Sequence, residues 1–323
     1  MAERVLVSGA AGFIGSHLCD ALLVDGCEVV GIDCFTDYYD RARKEANIAG
    51  ALVHPKFTFV EGDLVTLDLM ALLRDIDIIY HLAGQPGVRG SWGQKFEHYL
   101  RNNVLATQRL LEAALTVGGR PIVYASSSSV YGNLARMPLR EDMAPAPVSP
   151  YGVTKLAGEH LCRLYSAVHH IPTVSLRLFT VYGPRQRPDM AFQRFLEALR
   201  LGQPINVYGD GDQTRDFTYV DDVVRAFMSA ARLCAAGGNL QNGPGAVMNI
   251  AGGSRVSVRE VLALLVEITG YQPQVQYLPA QAGDVRDTWA DTTLARDGLG
   301  FAPMVGIRGG LSRHWRYVKD RSL

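Results

Sequence analysis

The stretch VLVSGAAGFIGSHL, residues 5–18, places three glycines at the turn between a strand-like run and a helix-like run. Gly9, Gly12 and Gly15 have the spacing G-x-x-G-x-x-G. Glycines at such a turn let main-chain N–H groups and the helix N-terminus approach a pyrophosphate, and they let the helix pack closely on the sheet. Because turns also use glycine for conformational reasons alone, the trio is a weak indication by itself. Its position after the first apolar run favours a dinucleotide site.

An acidic residue ends the second strand-like run, eighteen residues beyond Gly15. Asp33 there can accept hydrogen bonds from an adenosine ribose and would repel a 2′-phosphate, which favours NAD over NADP. The alternative is an Asp that caps a turn. Asp63 ends the next run, where a side chain can meet the adenine. We assign a group of basic residues beyond Asp33 to a solvated helix face: Arg41, Arg43 and Lys44.

Short β-branched runs alternate with longer amphipathic segments through the first two thirds of the chain. This pattern is typical of a parallel sheet with helices on both faces. The candidate strands are RVLVSG, CEVVGID, FTFVEGD, DIIYHLAG, PIVYASS, TVSLRLF and VMNIAGG. We therefore predict an α/β fold built on a doubly wound parallel sheet, followed by a smaller mixed α/β domain that binds the substrate.

The alternation loosens after about residue 183 into pieces punctuated by Pro and Gly. We predict a dinucleotide-binding domain over residues 1–183 and a substrate-binding domain over residues 184–323. A later segment, about 217–252, is expected to return to the first domain. The second domain would supply loops to a cleft over the sheet.

Composition excludes several classes of partner. The 323 residues contain 32 Lys and Arg against 32 Asp and Glu, so no long-range field attracts nucleic acid or an anionic membrane. The five cysteines are scattered, without C-x-x-C spacing, and predict free thiols in a reducing, cytoplasmic setting. We expect no signal peptide, no membrane-spanning segment and no metal site.

Tyr151 and Lys155 lie four residues apart in SPYGVTKLAGEH, on one face of a predicted helix. A phenol titrates near pH 10, so it is a poor base at neutral pH. A neighbouring ammonium and a cationic nicotinamide would both lower the pKa of Tyr151. Such a Tyr can take a proton from a sugar hydroxyl while hydride leaves for the nicotinamide.

Five features in this order resemble the extended short-chain dehydrogenase/reductase family, specifically its nucleotide-sugar epimerases and dehydratases: SGAAGFIG, Asp33, HLAGQ, SSSSVYG and YGVTK. The resemblance implies a Rossmann domain that binds NAD, a carboxy-terminal domain that holds a nucleoside diphosphate sugar, and catalysis by Ser127, Tyr151 and Lys155. The cofactor-binding residues that it implies are Gly9, Gly12, Phe13, Ile14, Gly15, Asp33, Asp63, Leu64, Leu82, Ala83, Gly84, Tyr151 and Lys155.

The residues after Ser127 separate the branches of this family. Its 4,6-dehydratases carry an Asp-Glu pair after the catalytic Thr, where this chain has Ser128 and Ser129. Its decarboxylating branch usually carries a Glu at the position of Ser129. Neither branch is favoured, which leaves simple epimerisation: a 4-keto sugar turns over in the cleft and takes hydride back on its opposite face.

The stretch FTVYGPRQRPDMAFQRF, residues 179–195, resembles the subgroup that acts on UDP-glucuronate. Thr180 also departs from the Asn of many UDP-galactose epimerases. Arg187 with Ser128 and Ser129 could hold a sugar carboxylate. We predict interconversion of UDP-glucuronate and UDP-galacturonate, with transient hydride transfer to bound NAD. The alternatives are a UDP-glucose 4-epimerase and, in a different class, a non-catalytic NAD-binding regulator.

Several assignments in the substrate domain have structural alternatives. Arg215 and Arg286 resemble the family's two diphosphate-binding arginines, yet either can form a surface ion pair instead. Arg187 can order its loop, and Phe192 can pack in the core rather than face the nucleotide. Tyr208 is the better candidate for stacking on uracil. The helices at about 100–117 and 151–168 resemble those that pair in a family dimer, so we expect a homodimer.

Overall fold

Thirteen strands are present in the computed structural model, which describes residues 3–235, 243–281 and 283–320. They are β1 (Arg4–Ser8), β2 (Glu28–Asp33), β3 (Phe57–Glu61), β4 (Ile78–His81), β5 (Ile122–Ser127), β6 (Thr173–Leu178), β7 (Val181–Tyr182), β8 (Ile205–Tyr208), β9 (Thr214–Asp216), β10 (Thr218–Tyr219), β11 (Ala246–Ile250), β12 (Arg255–Ser257) and β13 (Val275–Leu278). The described residues also form eleven α-helices. They are α1 (Phe13–Val24), α2 (Arg41–Leu52), α3 (Leu69–Leu73), α4 (Phe96–Tyr99), α5 (Ala106–Thr116), α6 (Pro150–His169), α7 (Ala191–Arg200), α8 (Val220–Ala235), α9 (Val258–Thr269), α10 (Thr293–Leu299) and α11 (Ile307–Asp320).

Seven of the strands form one parallel sheet in the order β11-β6-β5-β4-β1-β2-β3. The seven runs predicted as strands are these seven, so the predicted α/β fold is confirmed. Strand order reverses between β1 and β4, and a crevice opens at the carboxyl ends of strands at such a switch point. The sheet therefore directs the residues after β1, β2, β4 and β5 toward one edge.

The late segment from α8 to β11 returns to this sheet, because β11 pairs with β6. Residues 236–242, within the segment predicted to return, lie outside the described residues. One apolar core continues from the sheet, as at Val5, into the later half at Phe192 and Val261. The division of the chain into two domains at residue 183 stays a prediction.

Local signals set the helices that carry the site. Ser149 caps α6 by accepting a hydrogen bond from the N–H of Gly152 (3.1 Å), and Pro150 occupies the first helical position. Tyr151 therefore lies in the first turn of α6. The helical stretch from α4 to α5 continues through a π-helical segment, Leu100–Leu105, which contains the buried Asn103.

Candidate active site

The glycine turn has no room for side chains. A Cβ on Gly15 would lie 2.1 Å from the carbonyl oxygen of Gly9, and one on Gly9 would lie 2.9 Å from the main-chain nitrogen of Ala83. Gly9 also has a φ of +74°, and α1 begins directly after Gly12 without a side-chain cap. The free N–H groups of this helix end suit an anion, so the turn fits the pyrophosphate of a dinucleotide.

The end of β2 lies beside this turn. The Asp33 carboxylate accepts hydrogen bonds from the N–H groups of Ala11 (3.1 Å) and Phe35 (2.9 Å), which fixes its position at the cavity. Burial raises the pKa of Asp33, although these hydrogen bonds and Lys44 oppose the shift.

Lys44 corrects one expectation. It does not belong to a solvated helix face: its side chain is buried and lines the same cavity as Asp33. Its ammonium donates to the carbonyl oxygen of Thr36 (2.6 Å) and lies 4.8 Å from the ring centre of Tyr39. Burial lowers the pKa of Lys44, while Asp33 opposes that shift. A cation therefore acts on Asp33, the acidic residue that was expected to repel a 2′-phosphate.

Asp63 follows β3 and also lines the cavity, next to Leu64. Its carboxylate accepts a hydrogen bond from the N–H of Val65 (2.8 Å) and pairs with Arg101 (2.6 Å). These contacts hold a carboxylate acceptor in the part of the cavity wall where the adenine was predicted to lie.

The loop after β4 forms a further part of the cavity wall. Leu82, Ala83 and Gly84 line the cavity, and a Cβ on Gly84 would meet Asn103 Oδ1 at 2.9 Å and Lys155 Nζ at 3.3 Å. Asn103 Oδ1 accepts the N–H of Gln85 at 2.6 Å, so this buried side chain orders the loop. All the predicted cofactor-binding residues therefore line one cavity: Gly9, Gly12, Phe13, Ile14, Gly15, Asp33, Asp63, Leu64, Leu82, Ala83, Gly84, Tyr151 and Lys155.

The three predicted catalytic residues meet where β5 ends against α6. Ser127 lies close enough to Tyr151 to lower the pKa of its phenol, and its Oγ donates to Ser129 Oγ (3.1 Å). The Lys155 ammonium donates to the carbonyl oxygen of Ala125 (2.9 Å). Burial lowers the pKa of Lys155 to about 8, although Cys162 and Glu159 oppose the shift.

Burial raises the pKa of Tyr151, and the Arg187 cation and Ser127 oppose this rise. Arg187 is thus a cation that favours a phenolate, a role for which the sequence did not indicate it. The expected effect of the Lys155 ammonium and of a bound nicotinamide on this pKa stays a prediction.

A second cavity shares Tyr151 and Arg187 with the first and extends over the later half of the chain. Of the residues predicted to bind substrate, it is lined by Ser128, Ser129, Thr180, Arg187, Phe192, Tyr208 and Arg215. Phe192 is also buried against Phe217, with ring centres 4.4 Å apart, so it serves the core as well as the wall. We refer to this second cavity as the cleft.

Arg286 is not brought to the cleft. Its side chain is 64% exposed and pairs with Asp210 (3.0 Å), while its neighbours in sequence, Val285 and Thr288, line the wall. The physical reason is charge pairing on a surface loop, which holds the guanidinium outside.

Two arginines that the sequence did not indicate line the cleft instead. Arg89 pairs with Asp284 (2.6 Å), and its guanidinium lies 4.3 Å from the ring centre of Tyr208. Arg194 lies 5.6 Å from the same ring. The proximity of a Gly-rich loop, PGVRGSW, to the HLAG run was the one signal that could have drawn attention to Arg89.

In the part of the chain that the structure describes, no helix is both long and apolar enough to cross a membrane. Nor does that part contain a group of three or more His, Cys, Asp or Glu side chains arranged to hold a metal ion.

Three known proteins are similar to the chain over nearly its whole length. The uncharacterised UDP-glucose epimerase YtcB of Bacillus subtilis is 42% identical over 321 residues, which cover 98% of both chains. The UDP-glucose 4-epimerase of Mycolicibacterium smegmatis is 37% identical, with 99% of both chains covered. The crystal structure of UDP-glucuronic acid 4-epimerase from Bacillus cereus, in complex with UDP-glucuronic acid and NAD, has a TM-score of 0.92 at 44% identity. That match covers 98% of this chain and 99% of the other. In addition, the NAD dependent epimerase/dehydratase family matches residues 5–251.

Proposed function

The chain belongs to the NAD-dependent epimerase/dehydratase family, and from this we propose that it is a UDP-glucuronate 4-epimerase. It is an NAD-dependent enzyme that interconverts UDP-glucuronate and UDP-galacturonate through a 4-keto intermediate. The similarity to the Bacillus cereus UDP-glucuronic acid 4-epimerase supports the sugar, and its complex with NAD supports the cofactor.

The observation that carries the proposal is a cation and three hydroxyls beside Tyr151 in the cleft. Arg187 and the serines Ser127, Ser128 and Ser129 all line it. A guanidinium and small hydroxyl donors suit a carboxylate, whereas neither Ser128 nor Ser129 can act as the acid or base of a dehydration. The site therefore fits a uronate whose C6 carboxylate stays attached.

Arg187 is held in place for this role by neighbours from two loops. Its Nε and Nη2 donate to Asp189 (2.9 Å each), which leaves Nη1 to donate to a substrate carboxylate. Tyr38 donates to Asp189 as well (3.1 Å). Burial opposes ionisation of Asp189, but Arg187 and these hydrogen bonds lower its pKa below the usual value. The carboxylate of Asp189 is therefore charged at neutral pH and fixes the guanidinium.

Fixing the carboxylate also protects the 4-keto intermediate. With a ketone at C4, the uronate becomes a β-keto acid, which loses carbon dioxide when the C5–C6 bond aligns with the carbonyl π system. In our proposal Arg187, Ser128 and Ser129 hold the carboxylate in a rotamer and a charge state that disfavour this loss.

The residues at the end of β5 and the start of α6 have different roles in the proposed reaction. When bound, NAD accepts hydride from C4 of the sugar and returns it, and its nicotinamide brings a positive charge. Tyr151 takes the proton of the 4-hydroxyl and gives it back when the alcohol re-forms. Ser127 hydrogen-bonds to that oxygen, and Lys155 holds the cofactor side of the site against β5.

The nucleoside diphosphate lies further along the cleft in this proposal. Arg215 lines the cleft and is the cation proposed for the diphosphate, with Tyr208 as the stacking platform for uracil. Arg286 joins the diphosphate only by releasing Asp210.

A UDP-glucose 4-epimerase is the second candidate, because the relative from Mycolicibacterium smegmatis carries that name and the one from Bacillus subtilis is named an uncharacterised UDP-glucose epimerase. Separate incubations with UDP-glucuronate, UDP-glucose and UDP-xylose, with identification of all products, test the proposal. UDP-galacturonate as the dominant product is expected. Epimerisation of UDP-glucose at a higher kcat/KM than UDP-glucuronate contradicts it, and a pentose product contradicts the proposed protection of the carboxylate.

We also propose that the enzyme is a homodimer that acts in the cytoplasm. Five apolar side chains that are 41–58% exposed lie on the helical stretch from α4 to α5 and on α6: Leu100, Leu105, Val153, Leu164 and Val168. Two copies of this face would bury them together. Light scattering should give twice the mass of one chain, and Val153→Asp with Leu164→Asp should reduce it to one. The cytoplasmic location rests on the scattered, odd-numbered cysteines of the sequence.

A further inference from the structure

A buried ion pair lies directly beneath the catalytic residues. Glu159 of α6 and Arg177 of β6 have side chains that are each only 4% exposed. Arg177 donates from Nε to Oε1 (2.9 Å) and from Nη2 to Oε2 (2.8 Å). Desolvating two charges is costly, and an apolar pair of the same volume is often as stable. Stability alone therefore gives little reason for charges at this position.

The glutamate side of the pair is tied to β5 next to the catalytic serine. Ser126 donates to Glu159 Oε1, and Ser126 immediately precedes Ser127. Glu159 follows Lys155 by one helical turn and Tyr151 by about two, so all three lie on one face of α6. Two consecutive residues of β5 are thus bound to α6, Ala125 to Lys155 and Ser126 to Glu159, and the next residue, Ser127, acts on the pKa of Tyr151.

We refer to residues 127–130 as the serine turn. The arginine of the pair contacts the residue that follows this turn. The Arg177 guanidinium lies 4.6 Å from the ring centre of Tyr131, directly after the 3-10 turn Ser128–Val130. Tyr131 is buried and donates to Asn249 Oδ1 of β11 (2.7 Å). Asn249 in turn donates to the carbonyl oxygen of Leu139 (2.9 Å). One ion pair therefore contacts the turn before Ser127 and after Val130.

We propose that Glu159 and Arg177 are positioning residues of the epimerase: together they clamp both ends of the serine turn to α6 and so set the distance from Ser127 to Tyr151. The pair does not touch the substrate. Its contribution is to keep the Ser127 hydroxyl and the Tyr151 phenol both within hydrogen-bond distance of the sugar 4-hydroxyl. This requires placement within a fraction of an ångström. Glu159 also raises the pKa of Lys155 against the effect of burial.

Ser126→Ala is the sharpest test, because it removes the hydroxyl that ties the pair to β5 and leaves both buried charges paired. Thr173→Val is the matched control: Thr173 is a buried residue at the opposite end of β6 whose hydroxyl also donates to α6, at the carbonyl of Cys162 (3.0 Å). We expect Ser126→Ala to lower kcat about tenfold, with KM and NAD affinity within twofold of wild type. Thr173→Val should lower Tm to a similar extent and leave kcat unchanged. Full kcat in Ser126→Ala overturns the proposal.

A second test separates positioning from stability. Glu159→Gln and Arg177→Met should each lower Tm, because each leaves one buried charge without its partner. The double variant Glu159→Leu with Arg177→Met should regain most of the lost Tm and keep at most about one tenth of the wild-type kcat. Recovery of kcat together with Tm overturns the proposal. If the double variant does not fold, the Ser126 and Thr173 comparison decides alone.

The pH profile supplies a readout that a purely structural pair does not move. Glu159→Gln removes a negative charge that raises the pKa of Lys155, so the pH above which kcat declines should move down. An unmoved alkaline limb contradicts the electrostatic part of the proposal. Turnover is measured with whichever sugar the wild-type enzyme converts, so an error in the proposed sugar is detected separately, in the product assay.

Discussion

The two cavities that meet at Tyr151 differ in the groups that form their walls. The cofactor cavity is shaped by main chain: three glycines, one helix N-terminus and the ends of parallel strands, mostly within the first 84 residues. The cleft is shaped by charged side chains from distant loops, such as Arg89 with Asp284, 195 residues apart. NAD binding in the cofactor cavity is therefore expected to depend on the space that the glycines leave. Substrate binding in the cleft is expected to depend on the charges of its side chains.

Tyr151→Phe should have the largest effect, because this residue lines both cavities. Loss of the hydroxyl removes the proton acceptor, and general acid–base catalysis contributes roughly 10²–10⁴-fold to rate. We expect kcat to fall by about 10³-fold while NAD affinity and Tm stay near wild type. Steady-state kinetics and fluorescence titration of NAD measure the two quantities. Retained turnover would favour a different proton acceptor and weaken the catalytic assignment, while loss of NAD would make Tyr151 a binding residue.

Gly15→Ala tests whether the cofactor cavity depends on space. The new Cβ would lie 2.1 Å from the Gly9 carbonyl oxygen, so the turn must move, at a cost of about 1–3 kcal/mol. We expect NAD affinity to fall roughly tenfold to a hundredfold. Gly50→Ala is the control: Gly50 lies exposed in α2 with nothing within 4 Å of a new Cβ. That change should raise the unfolding free energy by about 0.5–1 kcal/mol and leave NAD affinity unchanged.

The same contrast explains what the sequence could predict. Gly9, Asp33, Tyr151 and Lys155 were predictable because each belongs to a short motif or stands at the end of a strand, and the sequence alone shows that spacing. The burial of Lys44 was not, since it depends on the loop after Asp33 turning back so that Thr36 presents its carbonyl oxygen. A helix-face argument sees only the spacing of charges along the helix.

The cleft was harder to predict for a related reason. Arg215 and Arg286 have similar sequence surroundings, each beside an Asp, yet only Arg215 lines the wall. What separates them is the position of Asp210, which lies 76 residues from Arg286 in the chain. No periodicity or motif records such a pairing, so long-range ion pairs decide which arginines face the substrate.

Arg187→Ala tests whether the cleft depends on charge. A charge-assisted hydrogen bond is worth about 1.5–3 kcal/mol when its partner is buried. Because the Arg187 side chain is 21% exposed, we expect the lower half of that range, about a tenfold rise in KM for UDP-glucuronate, and little change for UDP-glucose. Arg286→Ala, on the exposed loop, should change neither KM by more than about twofold. An equal rise in KM for both sugars in Arg187→Ala would contradict the carboxylate role, whereas a fall in kcat on both sugars would reflect the effect of Arg187 on the pKa of Tyr151.

The smallest expected effect concerns Arg89 and Asp284, which link the loop after β4 to the far wall of the cleft. Their side chains are 43% and 31% exposed, so either change should alter the unfolding free energy by less than about 1 kcal/mol. Their effects on substrate should nevertheless have opposite signs. Asp284 places a negative charge among the cations of the cleft. Both members of the pair act on Arg215: Asp284 raises the pKa of Arg215, and Arg89 lowers it.

Asp284→Asn should therefore lower KM for any UDP-sugar by about two- to fivefold, because an anionic diphosphate then meets Arg89 and Arg215 without a competing carboxylate. Arg89→Met should raise KM by a similar factor. Both differences should shrink as NaCl increases, since exposed charges are screened. KM measured at several salt concentrations checks the signs. If both variants raise KM equally and salt has no effect, the pair acts by holding the two loops together, and the cleft depends on shape as the cofactor cavity does.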